Sequence, residues 1–155
     1  METDMNKRLW IALAVAIVAA IAGVKQPQHK TPPVSSSAPQ QQRETIATLT
    51  QQQRVARYLQ QHQQLPDYYL TKNQARRQGW DPAKGNLCSL LPGKAIGGDR
   101  FSNREGLLPV QRGRIWFEAD VNYQCGHRNA DRLLYSSDGL IFVSTDHYRS
   151  VKKVN

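Results

Sequence analysis

Glu118, within GRIWFEADVNY (113–123), and His147, within STDHYRS, are a carboxylate and an imidazole, the side chains most often used to move protons near neutral pH. Arg128 and Arg132 stand four apart in GHRNADR and would share a face on a strand. The turn-rich stretch GGDRFSNREG (97–106) carries Phe101, Ser102, Asn103, Arg104 and Glu105, an aromatic ring among donors and acceptors. Together they supply an acid, a base, a guanidinium pair and a loop able to read the edge of an aromatic base. Each also has a plainer reading. Glu118 would be a solvated acid paired with Arg112, Arg114, Arg128 or Arg132, the two arginines a solvated pair, His147 a structural histidine, and 97–106 an ordinary surface loop.

The elements that must hold these groups are legible from periodicity. Alternation places Ile115, Phe117, Ala119 and Val121 on one apolar face of a strand and Trp116, Glu118, Asp120 and Asn122 on the other, so Glu118 is expected to point away from the core. KAIGGD, RIWFEADV, ADRLLYSS and LIFVST read as strands, the last two joined around Asp138-Gly139 as a hairpin. Ahead of them, Ile46, Leu49, Val55, Tyr58 and Leu59 form an interrupted helical stripe ending at Leu65-Pro66-Asp67. LTKNQARRQGW predicts a second helix, with Thr71 as its cap and Gly79 near its end, and NLCSLLPG a third. Helices first and antiparallel strands afterward imply an α+β fold with helices on one face of a sheet.

The chain of 155 residues supports one modest core plus accessory segments. Its net charge of +9 favours a polyanionic partner: nucleic acid, an acidic membrane surface or an acidic protein. Residues 9–24 are uncharged and apolar, and Lys7 and Arg8 precede them, which reads as an export signal. Ala20-Ile21-Ala22 has the form of a cleavage site but lies inside the apolar run, so a cleaved signal and a retained membrane anchor both stand for 1–24. Residues 25–44 are rich in Pro, Gln and Ser and read as a flexible linker. The folded domain is expected over 45–155.

LPDYYLTKNQA, KGNL, PGK, IGGD, FSNREG, EAD, NY, RN, DR, LYSSD and TDHY occur in the order and spacing of barnase-type bacterial guanyl-specific ribonucleases, and from Ile46 to Val154 the chain resembles them without a gap. The resemblance implies helices packed on a five-stranded antiparallel sheet, no cofactor or metal, and cleavage of RNA 3′ to guanosine by a monomeric catalytic domain. It implies that Glu118 is the general base and His147 the general acid, and that Arg128, Arg132 and Lys72 contact phosphate. By the same likeness Phe101, Ser102, Asn103, Arg104 and Glu105 bind guanine, His127 and Tyr148 flank it, and Asp99 organises the cations. A small acidic inhibitor of the barstar type is the implied protein partner. The alternative is a non-catalytic nucleic-acid-binding or inhibitor-binding module retaining the fold.

The chain departs from the family at His127, where Phe is usual, at Phe117, where Arg is usual, and at Gly139, where Trp is familiar. Cys88 and Cys125 are also uncommon there. Three scattered ligands with His127 make a poor zinc site, whereas export into an oxidising compartment favours a disulfide between the two cysteines.

Overall fold

A computed structural model describes residues 44–154. The expected export segment at 1–24 and nearly all of the expected linker at 25–44 lie outside the described residues.

The N-terminal stripe folds as two helices, α1 (Ile46–Leu49) and α2 (Gln52–His62). The break at Thr50-Gln51 has a use. Thr50 is fully buried, its hydroxyl donates to the Ile46 carbonyl at 2.7 Å, and its carbonyl accepts from Asn122 N–H at 2.7 Å. The interruption thus ties the helices to the chain just beyond the strand that carries Glu118. After the turn at Pro66 come β1 (Tyr69–Leu70), α3 (Lys72–Arg77) and α4 (Leu87–Leu90). Thr71 caps α3 in a reciprocal capping box with Gln74, which fixes where Lys72 leaves the helix.

The remaining strands are β2 (Ala95–Phe101), β3 (Trp116–Asp120), β4 (Arg132–Ser136), β5 (Ile141–Ser144) and β6 (Lys152–Lys153), and the sheet runs β1 to β6 in sequence order. The five-stranded antiparallel expectation is corrected here to six strands, with β1 parallel to β2 and the other pairs antiparallel. β1 and β6 have two residues each, too short to show a period in sequence. β1 and β2 run parallel because α3 and α4 form the crossover between them.

Val55, Ala56 and Leu59 of α2 pack on Ala119, Val121, Leu133, Ile141 and Val143, the apolar face of the sheet. The other face carries a smaller cluster of Leu108, Trp116 and Leu134, flanked by Phe101, Phe142 and Tyr148. Gly97 marks a close approach on β2. A Cβ there would lie 2.6 Å from the Tyr69 ring and 2.9 Å from Ala119 Cβ, because Tyr69 crosses at this point to reach the Asp120 carbonyl at 2.8 Å. The bulge between Gly97 and Asp99 then brings Asp99 into register with Glu118.

Candidate active site

Glu118 lies on the face opposite α2, as alternation predicts, but it does not reach solvent. It is 6 % exposed, on the face that also carries the Leu108–Trp116–Leu134 cluster. The plainer reading of a solvated acid is therefore contradicted: period two identifies a face, and tertiary packing decides that it is buried. Its partners differ too. Lys72 Nζ donates to one carboxylate oxygen and the Tyr148 hydroxyl to the other. Burial pushes the Glu118 carboxyl up, but the bonds from Lys72 and Tyr148 and the charges of Lys72 and Arg128 outweigh it. The group is held below the ordinary glutamate range and is ionised at neutral pH. Tyr148 is pushed well up by burial and then by its bond to Glu118, so it remains a donor.

Three of the four candidate ion-pair partners named from sequence, Arg114, Arg128 and Arg132, are engaged elsewhere. Arg114 binds Asp138, with Nη2 to Oδ2 at 2.7 Å. Arg128 grips Asp120 with two bonds, Nε at 2.7 Å and Nη2 at 2.6 Å, and Arg132 Nε lies 3.2 Å from the same carboxylate. Arg128 does not share a strand face with Arg132, since β4 begins at Arg132 and Arg128 stands in the preceding loop. A common counter-ion, not strand periodicity, brings them together. Arg132 Nη1 also donates to the carbonyls of Asn129 and Asp131, both at 2.8 Å.

Asp120 is the residue that the sequence reading left unassigned, although alternation put it on the Glu118 face. The cue was a second carboxylate two residues after the first, next to a segment rich in arginine. Asp99, assigned the organising role among the cations, accepts the Lys72 backbone N–H at 2.8 Å at the start of α3. It positions one cation, and Asp120 positions two.

His147 is exposed and lies in a backbone with φ 55°, followed by Tyr148 at φ 67°. Asp146 shapes this turn by accepting the N–H groups of Arg149 and Ser150, each at 3.0 Å, and the hydroxyls of Ser144 and Ser150. These bonds hold the Asp146 carboxyl down to about 2. The Tyr148 ring lies 5.0 Å from that of His147 and stacks at 5.2 Å on Phe101. A carboxylate, an imidazole, a lysine and two arginines therefore border one aromatic floor that leads into the 101–106 loop.

Within that loop the Asn103 side chain spans the turn, donating to the Leu108 carbonyl at 2.7 Å and accepting Leu108 N–H at 3.0 Å. Its amide shapes the loop, and Ser102, Arg104 and Glu105 around it are exposed.

A family model described as ribonuclease matches residues 51–155. The chain belongs to the barnase-type ribonuclease family. A ribonuclease of Bacillus intermedius is 54% identical over 110 residues, covering 71% of this chain and 68% of that protein. One of Heyndrickxia coagulans is 58% identical over 100 residues, covering 64% of this chain and 92% of its own. The carboxylate, imidazole and cations described above thus lie in an RNA-cleaving enzyme.

Two features of this ribonuclease stand beside the arginines. His127 is exposed and its Nε2–H donates to the Ala83 carbonyl at 3.0 Å, which turns it toward the 81–86 loop. Cys88 of α4 and Cys125 form a disulfide, with Cα atoms 5.6 Å apart and a sequence separation of 37. The bond ties the helical half to the loop that leads into Arg128. Closing a loop of that length restricts the unfolded chain, and the chain-entropy relation puts the stabilisation at about 4 kcal/mol. Reduction, or Cys88→Ala with Cys125→Ala, is expected to lower the melting temperature while sparing turnover at moderate temperature. Denaturant melts with and without reductant check this, and unchanged stability would refute it.

Proposed function

We propose that this ribonuclease cleaves single-stranded RNA 3′ to guanosine by transphosphorylation. Glu118 takes the proton from the ribose 2′-OH as that oxygen attacks the adjacent phosphorus, and His147 protonates the departing 5′-oxygen. The product is a 2′,3′-cyclic phosphate, which water then opens with the two roles reversed. Lys72, Arg128 and Arg132 stabilise charge on the nonbridging oxygens, and Asp120 holds the arginines in place. The observation that carries this reading is the ionised, nearly buried Glu118, beside Tyr148 and the exposed His147. An ionised base is ready at neutral pH, and its acid limb is expected below the ordinary glutamate range.

Guanine selection is assigned to 101–105. Glu105 offers a carboxylate to the N1 and N2 hydrogens of guanine, an edge that adenine does not match. The purified protein is expected to cut RNA in excess chelator, to leave DNA intact because it lacks the internal nucleophile, and to accumulate cyclic phosphate. Equal hydrolysis of both polymers would overturn the mechanism, and equal rates on guanosine and adenosine dinucleotides would overturn the base preference.

The catalytic domain is assigned to the outside of the cytoplasm, secreted or tethered through residues 9–24. The apolar run and the disulfide support this. Protection of the domain from protease in spheroplasts would contradict it. The implied inhibitor is a small acidic barstar-type protein whose carboxylates cover Lys72, Arg104, Arg128, Arg132 and His147. Association that slows steeply with salt and competes with a guanosine nucleotide is the expected behaviour. Salt-independent binding without competition would place the inhibitor elsewhere.

A further inference from the structure

The loop between β3 and β4, residues 121–131, carries Arg128, leads into Arg132 and also reaches the turn that bears His147. The Ala130 carbonyl accepts the His147 N–H at 3.3 Å, where His147 takes a left-handed φ of 55°. Asp146 shapes that turn from within, whereas this bond ties it to the loop. On either side of Ala130, the Asn129 and Asp131 carbonyls accept Arg132 Nη1, both at 2.8 Å. Three successive carbonyls thus hold a cation and the backbone of the proposed acid. None of residues 129–131 lies in a helix or strand, so no regular ladder fixes them.

The Asn129 side chain supplies what the ladder does not. Its Nδ2 donates to the carbonyls of Val121 and Asn122, both at 2.9 Å, and its Oδ1 accepts the Asp131 N–H at 3.3 Å. Two carbonyls can be met only by the nitrogen of an amide, so the orientation of the group is determined. Val121 directly follows β3, the strand of Glu118. One half-buried carboxamide therefore joins the strand of the base to the segment that holds the backbone of the acid. Asn122 anchors the near side of this bridge to the helices. Its N–H donates to the Thr50 carbonyl at 2.7 Å, and its Oδ1 accepts the Gln52 N–H at 3.1 Å.

We propose that Asn129 is a positioning residue of the reaction, which sets the placement of His147 relative to Glu118. This rests on the acid–base reading above. Proton transfer to the leaving oxygen requires the imidazole within hydrogen-bond reach, and a misplacement of about 1 Å can cost roughly 10²-fold. Without the carboxamide, two loop carbonyls lose their donor, and the loop is free to move away from β3 with the Ala130 carbonyl.

The test measures kcat and KM on a guanosine dinucleotide and on a guanosine 3′-phosphate ester with an activated leaving group. Asn129→Ala is expected to lower dinucleotide kcat by about 10- to 100-fold, with a smaller change in KM. The activated ester should lose less, because it needs little protonation. In a His147→Ala background the same substitution should cost clearly less on the dinucleotide, because the group that it positions is already gone. A merely structural asparagine would give the same factor in both backgrounds and on both substrates. Val55→Ala shortens a fully buried side chain of α2 and serves as the stability control, with dinucleotide kcat unchanged below its melting transition. Unchanged dinucleotide kcat in Asn129→Ala, equal factors in both backgrounds, or the same loss in Val55→Ala would overturn the proposal. If Asn129→Ala does not fold, Asn129→Ser, which keeps one donor, is judged by the same criteria. A dinucleotide left uncut by the unaltered protein would instead sink the cleavage reading. Positioning is then judged by NMR on Asn129→Ser: His147 ring resonances that move while those of His62 on α2 stay support it, and His147 resonances that stay refute it.

Discussion

Glu118→Ala is expected to slow RNA cleavage by about 10²- to 10⁴-fold, the usual contribution of a positioned acid–base group. The loss should appear in kcat more than in KM, because in the proposed reaction the carboxylate acts on the proton that moves in the transition state. Removing it leaves Lys72, whose side chain is 30% exposed, free to turn toward water, so the fold should persist. The pH profile gives a sharper readout. With its folded pKa depressed, the Glu118 carboxylate is fully ionised above the ordinary glutamate range and becomes protonated only as pH falls through the lower value. The acid limb of the unaltered enzyme should therefore fall below that range, and Glu118→Ala should abolish it. His147→Ala should be worst on substrates with a poor leaving group and nearly silent on activated esters, which need little protonation. Near-normal turnover of an RNA dinucleotide by either variant would mean that the chemistry lies elsewhere.

Asp120→Ala is expected to destabilise the protein by about 3 to 5 kcal/mol, the cost of leaving a buried charge without its partner. Asp120 is 2% exposed and serves two guanidiniums, one of them Arg132 at 3%. Burial disfavours charge on Arg128, and the bonds to Asp120 outweigh it. Without that carboxylate Arg128 loses both of its side-chain bonds and Arg132 its neighbouring charge, though Arg132 keeps its bonds to the Asn129 and Asp131 carbonyls, so in the proposed reaction activity should fall along with stability. Asp138→Ala is the contrast. Its partner Arg114 also forms a close ion pair, but the carboxylate is solvated, and its loss should move the denaturation midpoint much less. Urea melts of the two variants check this, and equal shifts would show that burial is not the deciding factor.

Much of the scaffold was legible because local chemistry determined it. Thr71 and Gln74 are three residues apart and cap α3 without help from the rest of the chain, and Asp138-Gly139 turns the β4–β5 hairpin through a positive φ at Gly139. Alternation correctly divided β3 into two faces, and ordered motifs from LPDYYLTKNQA to TDHY supplied the family. The two outer strands escaped because two residues carry no period.

The site itself depended on contacts between distant residues. Lys72 and Tyr148 reach Glu118 across 46 and 30 positions, and neither separation leaves a mark in local sequence. Periodicity placed Glu118 on a face, but only tertiary packing decided that it is buried there. The same holds for Asp120, whose role depends on a loop returning Arg128 to the strand that Asp120 ends. Cys88 and Cys125 were legible as a pair to oxidise, and the folded chain decided that they meet. Sequence by itself determined the residue types, the elements and the lineage, because these follow from neighbours along the chain. Tertiary structure decided burial and ion pairing, because these depend on which distant surfaces exclude water.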